Sequence, residues 1–406
     1  MTPFDRRALL QLVALVGAAA PLSACASGDS TLAMSDVGRA PAGSPVRSTL
    51  ERFAAGLLDQ MPAGNVVVSP VSIAAVLAML GNGAAGTTRT QIESVLGSPI
   101  DALNTELNTL TQRLVALDGA EGTSLALSNA LWVQKGMTWK QPFLDALKKW
   151  YGAGGQLTDF IHDAAGAIMA INSWCSTATK GLIPSIVDES LITPDTRLAV
   201  GNAVYVKGAW EVQFDKSMTS REPFTTGSGS VVSVDMMHAT RTVKARETDR
   251  AVTIALPFRH ADLAFVAAVP KIGETASLSR VDLTSVLDEA PVETMIALPK
   301  FHAEFSQPLK KALVALGLVD AWSALSADFS AMTGDRSLSL GFVQHKAVIT
   351  VDESGAEAAA VTVGGVVASS ARLMPKFVAD HPFLWAIVHV PSRSLVILGR
   401  EDDPTR

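Results

Sequence analysis

Hydrophobic and polar positions along the chain change period several times, and each period predicts an element. Within Ser48–Leu58 the apolar residues Leu50, Phe53, Ala54, Leu57 and Leu58 recur at helical spacing. Asn65–Ser69 is a short β run, after which Ser69-Pro70 predicts a capped helix start with proline at the first position. That helix carries Ile73, Val76, Leu77 and Leu80 along one face. Leu127–Trp132 reads as a strand, and Ala347, Ile349 and Val351 alternate with Lys346, Val348 and Thr350 as in a strand buried on at least one face.

The alternation then gives way to a different composition. From Gly355 to Ser370 almost every residue is Ala, Gly, Val, Ser or Thr, with Glu357 the only charge and no proline. Such a stretch buries little surface by itself, yet each backbone N–H stays free to pair with a sheet edge. Were it to become a strand, Ala356, Ala358, Ala360 and Thr362 would face one way and Glu357, Ala359, Val361 and Val363 the other. A small-residue surface linker is the competing reading of the same stretch.

Composition sets the remaining limits. A chain of 406 residues with 48% hydrophobic positions can bury one large core or two ordinary ones, and its formal charge of −6 is unclustered, so no nucleic-acid partner is expected. At the start, Arg6 and Arg7 precede an apolar stretch, Ala8–Ala20, and then Leu22-Ser23-Ala24-Cys25. This reads as a signal segment over residues 1–25. It resembles a bacterial lipoprotein signal in which Cys25 is lipidated, and the paired arginines resemble a twin-arginine export signal. With Cys25 acylated, Cys175 has no disulfide partner. Residues 26–45, rich in Ser, Gly, Ala and Pro, read as a flexible tether, so the folded domain is expected over 46–406.

Chemistry-bearing motifs are scarce. Gly81-Asn82-Gly83-Ala84-Ala85-Gly86, with Asp101 downstream, matches a dinucleotide fingerprint, but it follows a helical rather than a strand pattern, which argues against a nucleotide site. There is no zinc-ligand spacing, P-loop or nucleophile elbow, and no cofactor or metal is expected.

The run Glu353, Gly355, Glu357, Ala358, Ala360 and Thr362 resembles the hinge of the serpin family, and Asn65 to Ile73 with Gly83 to Thr87 resembles a serpin signature nearly 300 residues earlier. Further matches follow in order: Leu198–Phe214 as a long central strand, Met236-Met237, Leu298-Pro299-Lys300-Phe301, His345-Lys346-Ala347, His381-Pro382-Phe383 and Ile397–Arg400. The resemblance implies an α+β fold of about three β-sheets with eight or nine helices and an exposed reactive-centre loop. It implies a protein that is not an enzyme: a suicide inhibitor of serine proteases, whose cleaved loop inserts as a strand into the central sheet.

By the same resemblance the hinge is Glu353, Gly355, Ala356, Glu357, Ala358, Ala359, Ala360 and Thr362. Ser69, Ser72, Asn202 and His345 form a polar cluster where that sheet parts, and Trp210 marks the insertion point. Counting forward from Glu353 puts the reactive bond at Ser369–Ser370; counting back from Pro382 gives Ala371, and a still longer loop would bring in Arg372. Small residues there favour an elastase-like or subtilisin-like target. The expected protein is a monomer, exported and lipid-anchored to the bacterial cell envelope. The alternative is a serpin-fold protein that binds or chaperones without inhibiting; its hinge would carry bulky or charged residues, whereas Ala356–Ala360 carries only Glu357, and Gly364-Gly365 alone would weaken an inserted strand.

Overall fold

In the computed structural model, which describes residues 38–153, 155–193, 195–355 and 375–406, the expected helix at Ser48–Leu58 runs as α1 (Glu51–Asp59) with Phe53, Ala54, Leu57 and Leu58 buried. The short strand β1 (Val66–Val68) leads through Ser69 into α2 (Pro70–Gly83). Ser69 is the N-cap: its hydroxyl accepts the Ser72 N–H at 3.3 Å, and Pro70 opens the helix, where a missing N–H costs nothing. α2 is buried almost all round, which is why its sequence is apolar on every face.

The glycines of the fingerprint belong to this packing. A Cβ on Gly83 would fall 2.1 Å from Met332, and one on Gly81 2.3 Å from Ile100, so they let neighbouring side chains approach the helix closely. α3 (Gly86–Leu96), α4 (Ile100–Ala116), β2 (Ser124–Gln134) and α5 (Gln141–Ala146) follow, the last continuing into one π turn at Leu147–Tyr151. β3 (Gly155–Thr158), α6 (Ala164–Ala178) and β4 (Leu198–Lys207) complete the first half.

The second half is mostly β: β5 (Thr219–Thr225), β6 (Val231–Glu247), β7 (Ala251–Pro257), β8 (Leu263–Pro270), β9 (Pro291–Pro299) and β10 (Phe301–Pro308). After α7 (Lys310–Ala315) and α8 (Ser330–Thr333) come β11 (Phe342–Val351), β12 (Lys376–Val378), β13 (Phe383–His389) and β14 (Ser394–Glu401). Among the described residues there are thus eight α-helices.

Five strands form one sheet in the order β10-β11-β4-β2-β3. Alternation gives it two apolar faces. One face, with Leu131, Val133, Val200, Val204, Val343 and Ala347, packs into the main core with α2 and the second sheet. The other, with Trp132, Ala199, Ala203 and Phe342, is covered by Ile171 and Cys175 of α6, and Trp132 meets Trp174 edge-on at 5.0 Å.

The remaining strands are ordered β1-β14-β13-β8-β7-β6-β9-β12, with β5 on β6. The second and third sheets of the expected architecture are continuous here because β6 serves both. Its Met236–Lys244 pair with β9 and its Lys244–Glu247 with β7, so the ribbon changes partner at Lys244.

Two expectations are corrected. The strand expected over Leu198–Phe214 ends at Lys207. Beyond it a Cβ on Gly208 would lie 2.8 Å from the Phe258 ring, Trp210 bridges Phe258, and the Glu211 N–H donates to the Pro257 carbonyl at 3.0 Å, so the chain leaves β4 for the end of β7. The tether expected over 26–45 is not free in its described part. The Ala40 N–H donates to the Lys149 carbonyl at 2.7 Å, Arg39 donates to Asn108 and Thr111, the Gly43 N–H donates to Thr109, and Arg113 donates to the Gly43 carbonyl. Polar side chains on α4 supply partners for an extended backbone, which composition alone does not reveal.

Candidate functional site at the seam of two parallel strands

β11 and β4 pair in parallel from Phe342↔Ala199 to Val348↔Tyr205 and then part. Above that point Ile349–Val351 remain bonded to β10 and Val206–Lys207 to β2, but not to one another. The central sheet is zipped along its lower seam and open at the top.

The mouth of this opening is held by the residues that follow β11. Asp352 Oδ1 accepts the Ser354 N–H at 2.8 Å and its hydroxyl at 2.6 Å, which folds the chain back. Asp352 and Gly355 exchange both backbone hydrogen bonds, at 3.1 and 3.2 Å. Gly355 is bridged antiparallel to Asp352 on one side and to Ala209, just past β4, on the other. Only glycine fits there: its φ is +107°, and a Cβ would lie 2.4 Å from the Gly208 carbonyl oxygen.

Trp210 closes the mouth. Its indole N–H donates to the Asp352 carbonyl at 2.8 Å, and its ring stacks on Phe258 at 5.0 Å and meets Phe265 and Phe214 edge-on. Glu353 is buried, with Oε1 accepting from the Thr219 hydroxyl at 2.9 Å and Oε2 2.9 Å from Lys300 Nζ. Burial alone would raise this carboxyl, but the hydrogen bonds from Lys300 and Thr219 and the Lys300 charge outweigh it and hold it below the usual carboxylate range. The Glu353 carbonyl also accepts the Phe214 N–H at 2.9 Å.

Seven residues below the mouth, a polar rung crosses the apolar inner face: His345 of β11 is the direct partner of Asn202 in β4, which is the partner of Asn129 in β2. His345 is fully buried, and burial pushes its pKa down to about 3, only partly offset by the Val67 carbonyl, so the ring is neutral. Its tautomer follows from its neighbours. The Ser69 N–H can only donate, so Nε2, at 3.3 Å, accepts; Nδ1 carries the proton and donates to Asn202 Oδ1 at 2.5 Å. The Asn202 amide then donates to the Ser72 hydroxyl and to Asn129 Oδ1, and the Ser72 hydroxyl donates to Asn129 Oδ1 at 3.2 Å. Ser69 Oγ donates to the Val396 carbonyl at 2.6 Å.

This geometry excludes hydrolysis at the rung: both nitrogens of His345 are occupied, neither by a hydroxyl, and both serine hydroxyls donate elsewhere. Among the described residues no group of three His, Cys, Asp or Glu side chains could hold a metal ion. What the rung can do is join two strands through side chains and exchange partners if they separate.

Of the residues singled out in the sequence, Ser69, Ser72, Asn202 and His345 meet at the rung, and Trp210, Glu353 and Gly355 meet at the mouth. Ala356, Glu357, Ala358, Ala359, Ala360, Thr362, Ser369, Ser370, Ala371, Arg372 and Cys25 lie outside the described residues. Asn129, Thr219 and Lys300 were not singled out as site residues. Asn129 had a local signal, a polar residue in phase with the buried Leu131 and Val133. Thr219 had none.

The chain matches the family described as Serpin (serine protease inhibitor) over residues 49–404. It is 32% identical over 378 residues to the leukocyte elastase inhibitor of Homo sapiens, covering 88% of this chain and 98% of that one. It is 32% identical over 352 residues to an uncharacterized serpin-like protein of Methanosarcina mazei, covering 84% and 82%. The native-state crystal structure of the thermophilic serpin tengpin superposes with a TM-score of 0.81 at 24% identity, over 90% of this chain and 97% of the other. The family match, the relatives and the fold agree, and the chain belongs to the serpin family.

Proposed function

We propose that this protein is a suicide inhibitor of serine proteases that works by inserting its cleaved loop between β4 and β11. The observation that carries the reading is Gly355, bridged to Asp352 just past β11 and to Ala209 just past β4 at the top of an open seam, as the first residue of a strand between the two would be. Thr362 lies seven residues beyond Gly355, Asn202 seven before Ala209 and His345 seven before Asp352. Continued antiparallel, the same register would bring Thr362 between His345 and Asn202, where its hydroxyl could replace their direct bond. Ala356, Ala358 and Ala360 would enter the inner face beside the buried Val351, Ile349 and Ala347, where small side chains meet the least obstruction.

The energetic logic follows from the seam. A strand antiparallel to both neighbours exchanges one parallel pairing for two antiparallel ones, with about 1 kcal/mol net for each added hydrogen bond. The uncleaved fold is then held kinetically. A protease acylated at Ser369–Ser370, or at Ala371 or Arg372 in a longer loop, would be carried off before water released it. Small residues before the bond and the elastase-inhibitor relative support an elastase-like or subtilisin-like target. We also read residues 1–25 as a lipoprotein signal and Cys25 as the lipidated anchor to the cell envelope.

Incubation of the domain from Gly38 onward with a panel of serine proteases, followed by denaturing gels, tests this. A covalent band with an elastase-like enzyme is expected, and the released C-terminal peptide should start at Ser370. Cleavage without a band for every enzyme would select the non-inhibitory reading.

A further inference from the structure

We propose that Arg241 of β6 is a positioning residue for loop insertion, latching the Gly208–Phe214 segment, and through it the hinge, to the second sheet. The proposal rests on the insertion reading above. Arg241 donates through Nη1 to the Val212 carbonyl, and its guanidinium sits 4.0 Å from the centre of the Phe214 ring. Among the described residues no carboxylate lies within ion-pair distance of it, and burial lowers its pKa to about 10. Half-buried, and met by a carbonyl and a ring face rather than by a carboxylate, the guanidinium makes contacts that fix geometry more than they neutralise charge.

Those contacts lead straight to the mouth. The Phe214 N–H bonds the Glu353 carbonyl at 2.9 Å, and its ring meets Trp210 edge-on at 6.2 Å. The Trp210 indole bonds the Asp352 carbonyl. Arg241 itself is held in β6 opposite Thr294 of β9. The latched segment continues β4, which is paired with β2 in the central sheet, whereas β6 belongs to the other sheet. Separation of β4 from β11 therefore strains the Arg241 contacts, and the latch opposes opening until cleavage supplies a strand to insert.

The test compares Arg241→Ala and Arg241→Lys with the parent. One readout is the time for which uncleaved protein at raised temperature keeps its protease-trapping capacity. The other is the unfolding midpoint of the form cleaved in the loop. Arg241→Ala should shorten the lifetime roughly tenfold or more, Arg241→Lys less, because lysine keeps the ring contact, while the cleaved midpoint stays that of the parent. If Arg241→Ala fails to accumulate, Arg241→Lys against parent reads the same difference on a smaller scale. Equal losses in cleaved and uncleaved forms would mark a general packing role and overturn the proposal, as would unchanged lifetimes in both variants. A parent that gains no heat resistance on cleavage overturns the insertion reading itself, and this role with it.

Discussion

His345 Nδ1 lies 2.5 Å from Asn202 Oδ1, and the two residues are direct partners in the parallel pairing of β11 with β4. One side-chain hydrogen bond thus doubles the backbone ladder across the seam that insertion would have to open. It forms inside an apolar face, where a partner lost and not replaced costs about 1–3 kcal/mol.

Acid should act on this bond. The His345 pKa in the folded protein, about 3, is below its ordinary 6.5, so the neutral ring contributes stability that is fully present above pH 6.5 and lost as pH falls toward 3. The slope reaches at most about 1.4 kcal/mol per pH unit. Urea midpoints measured from pH 7.5 down to 4.5 should fall more steeply for the parent than for His345→Gln, which has no proton to gain. Parallel curves would mean that the rung does not sense pH.

The alternation around Ala356 sets up a second measurement. In the register of the Gly355 bridges, residue 356 would face the packed inner side beside Val351, and residue 357 the opposite face beside Lys207 and Thr350. Ala356→Arg should turn the inhibitor into a substrate, cleaved at the same bond with the covalent band lost, because a buried guanidinium slows insertion. Glu357→Gln should still trap protease. Retained trapping by Ala356→Arg would rule out insertion.

The strap over Arg39–Gly43 predicts where the folded domain begins. A chain starting at Val46 loses the bonds to Lys149, Asn108, Thr109 and Arg113 and should melt roughly 5 °C or more below one starting at Gly38. Identical midpoints would return residues 38–45 to the status of a linker.

Glu401 should be a liability at alkaline pH. It is fully buried, its carboxyl oxygens and the nearby Trp385 indole N–H make no well-aligned hydrogen bond, and burial, with the Asp403 and Asp402 charges, raises its pKa to about 9 against the weaker pull of the Trp385 and Asn65 N–H groups. Between pH 4.5 and 9 the unfolded chain ionises this group while the folded one keeps its proton, so stability declines as pH rises. Glu401→Gln should gain on the parent as pH rises, by several kcal/mol at pH 8 and by under about 1 kcal/mol at pH 5. No gain at pH 8 by differential scanning calorimetry would show that the carboxyl is already solvated.

The anchor is tested in cells. Cys25→Ser should move the protein from a detergent-extracted membrane fraction to a soluble one. Equal partitioning would remove the lipoprotein reading without touching the inhibitory one.

What the sequence determined by itself are features set by neighbours along the chain. The Ser69-Pro70 cap, one apolar face of α2 and the strand phase of β11 each follow from a period or a capping requirement within a few residues. Resemblance to serpin motifs added the family and four members of the polar rung, since serpin-like words survive as short local strings. Only the tertiary structure decided the rest, because it depends on residues brought together from distant parts of the chain. Asn129 joins the rung through β-pairing with Asn202, 73 positions away, and Glu353 meets Thr219 from 134 positions away. The end of β4 at Lys207 is set by the ring of Phe258, and the docking of Arg39–Gly43 by polar side chains on α4. Arg241 carries no local signal, and its place over Phe214 exists only because β6 runs alongside β9 in the second sheet.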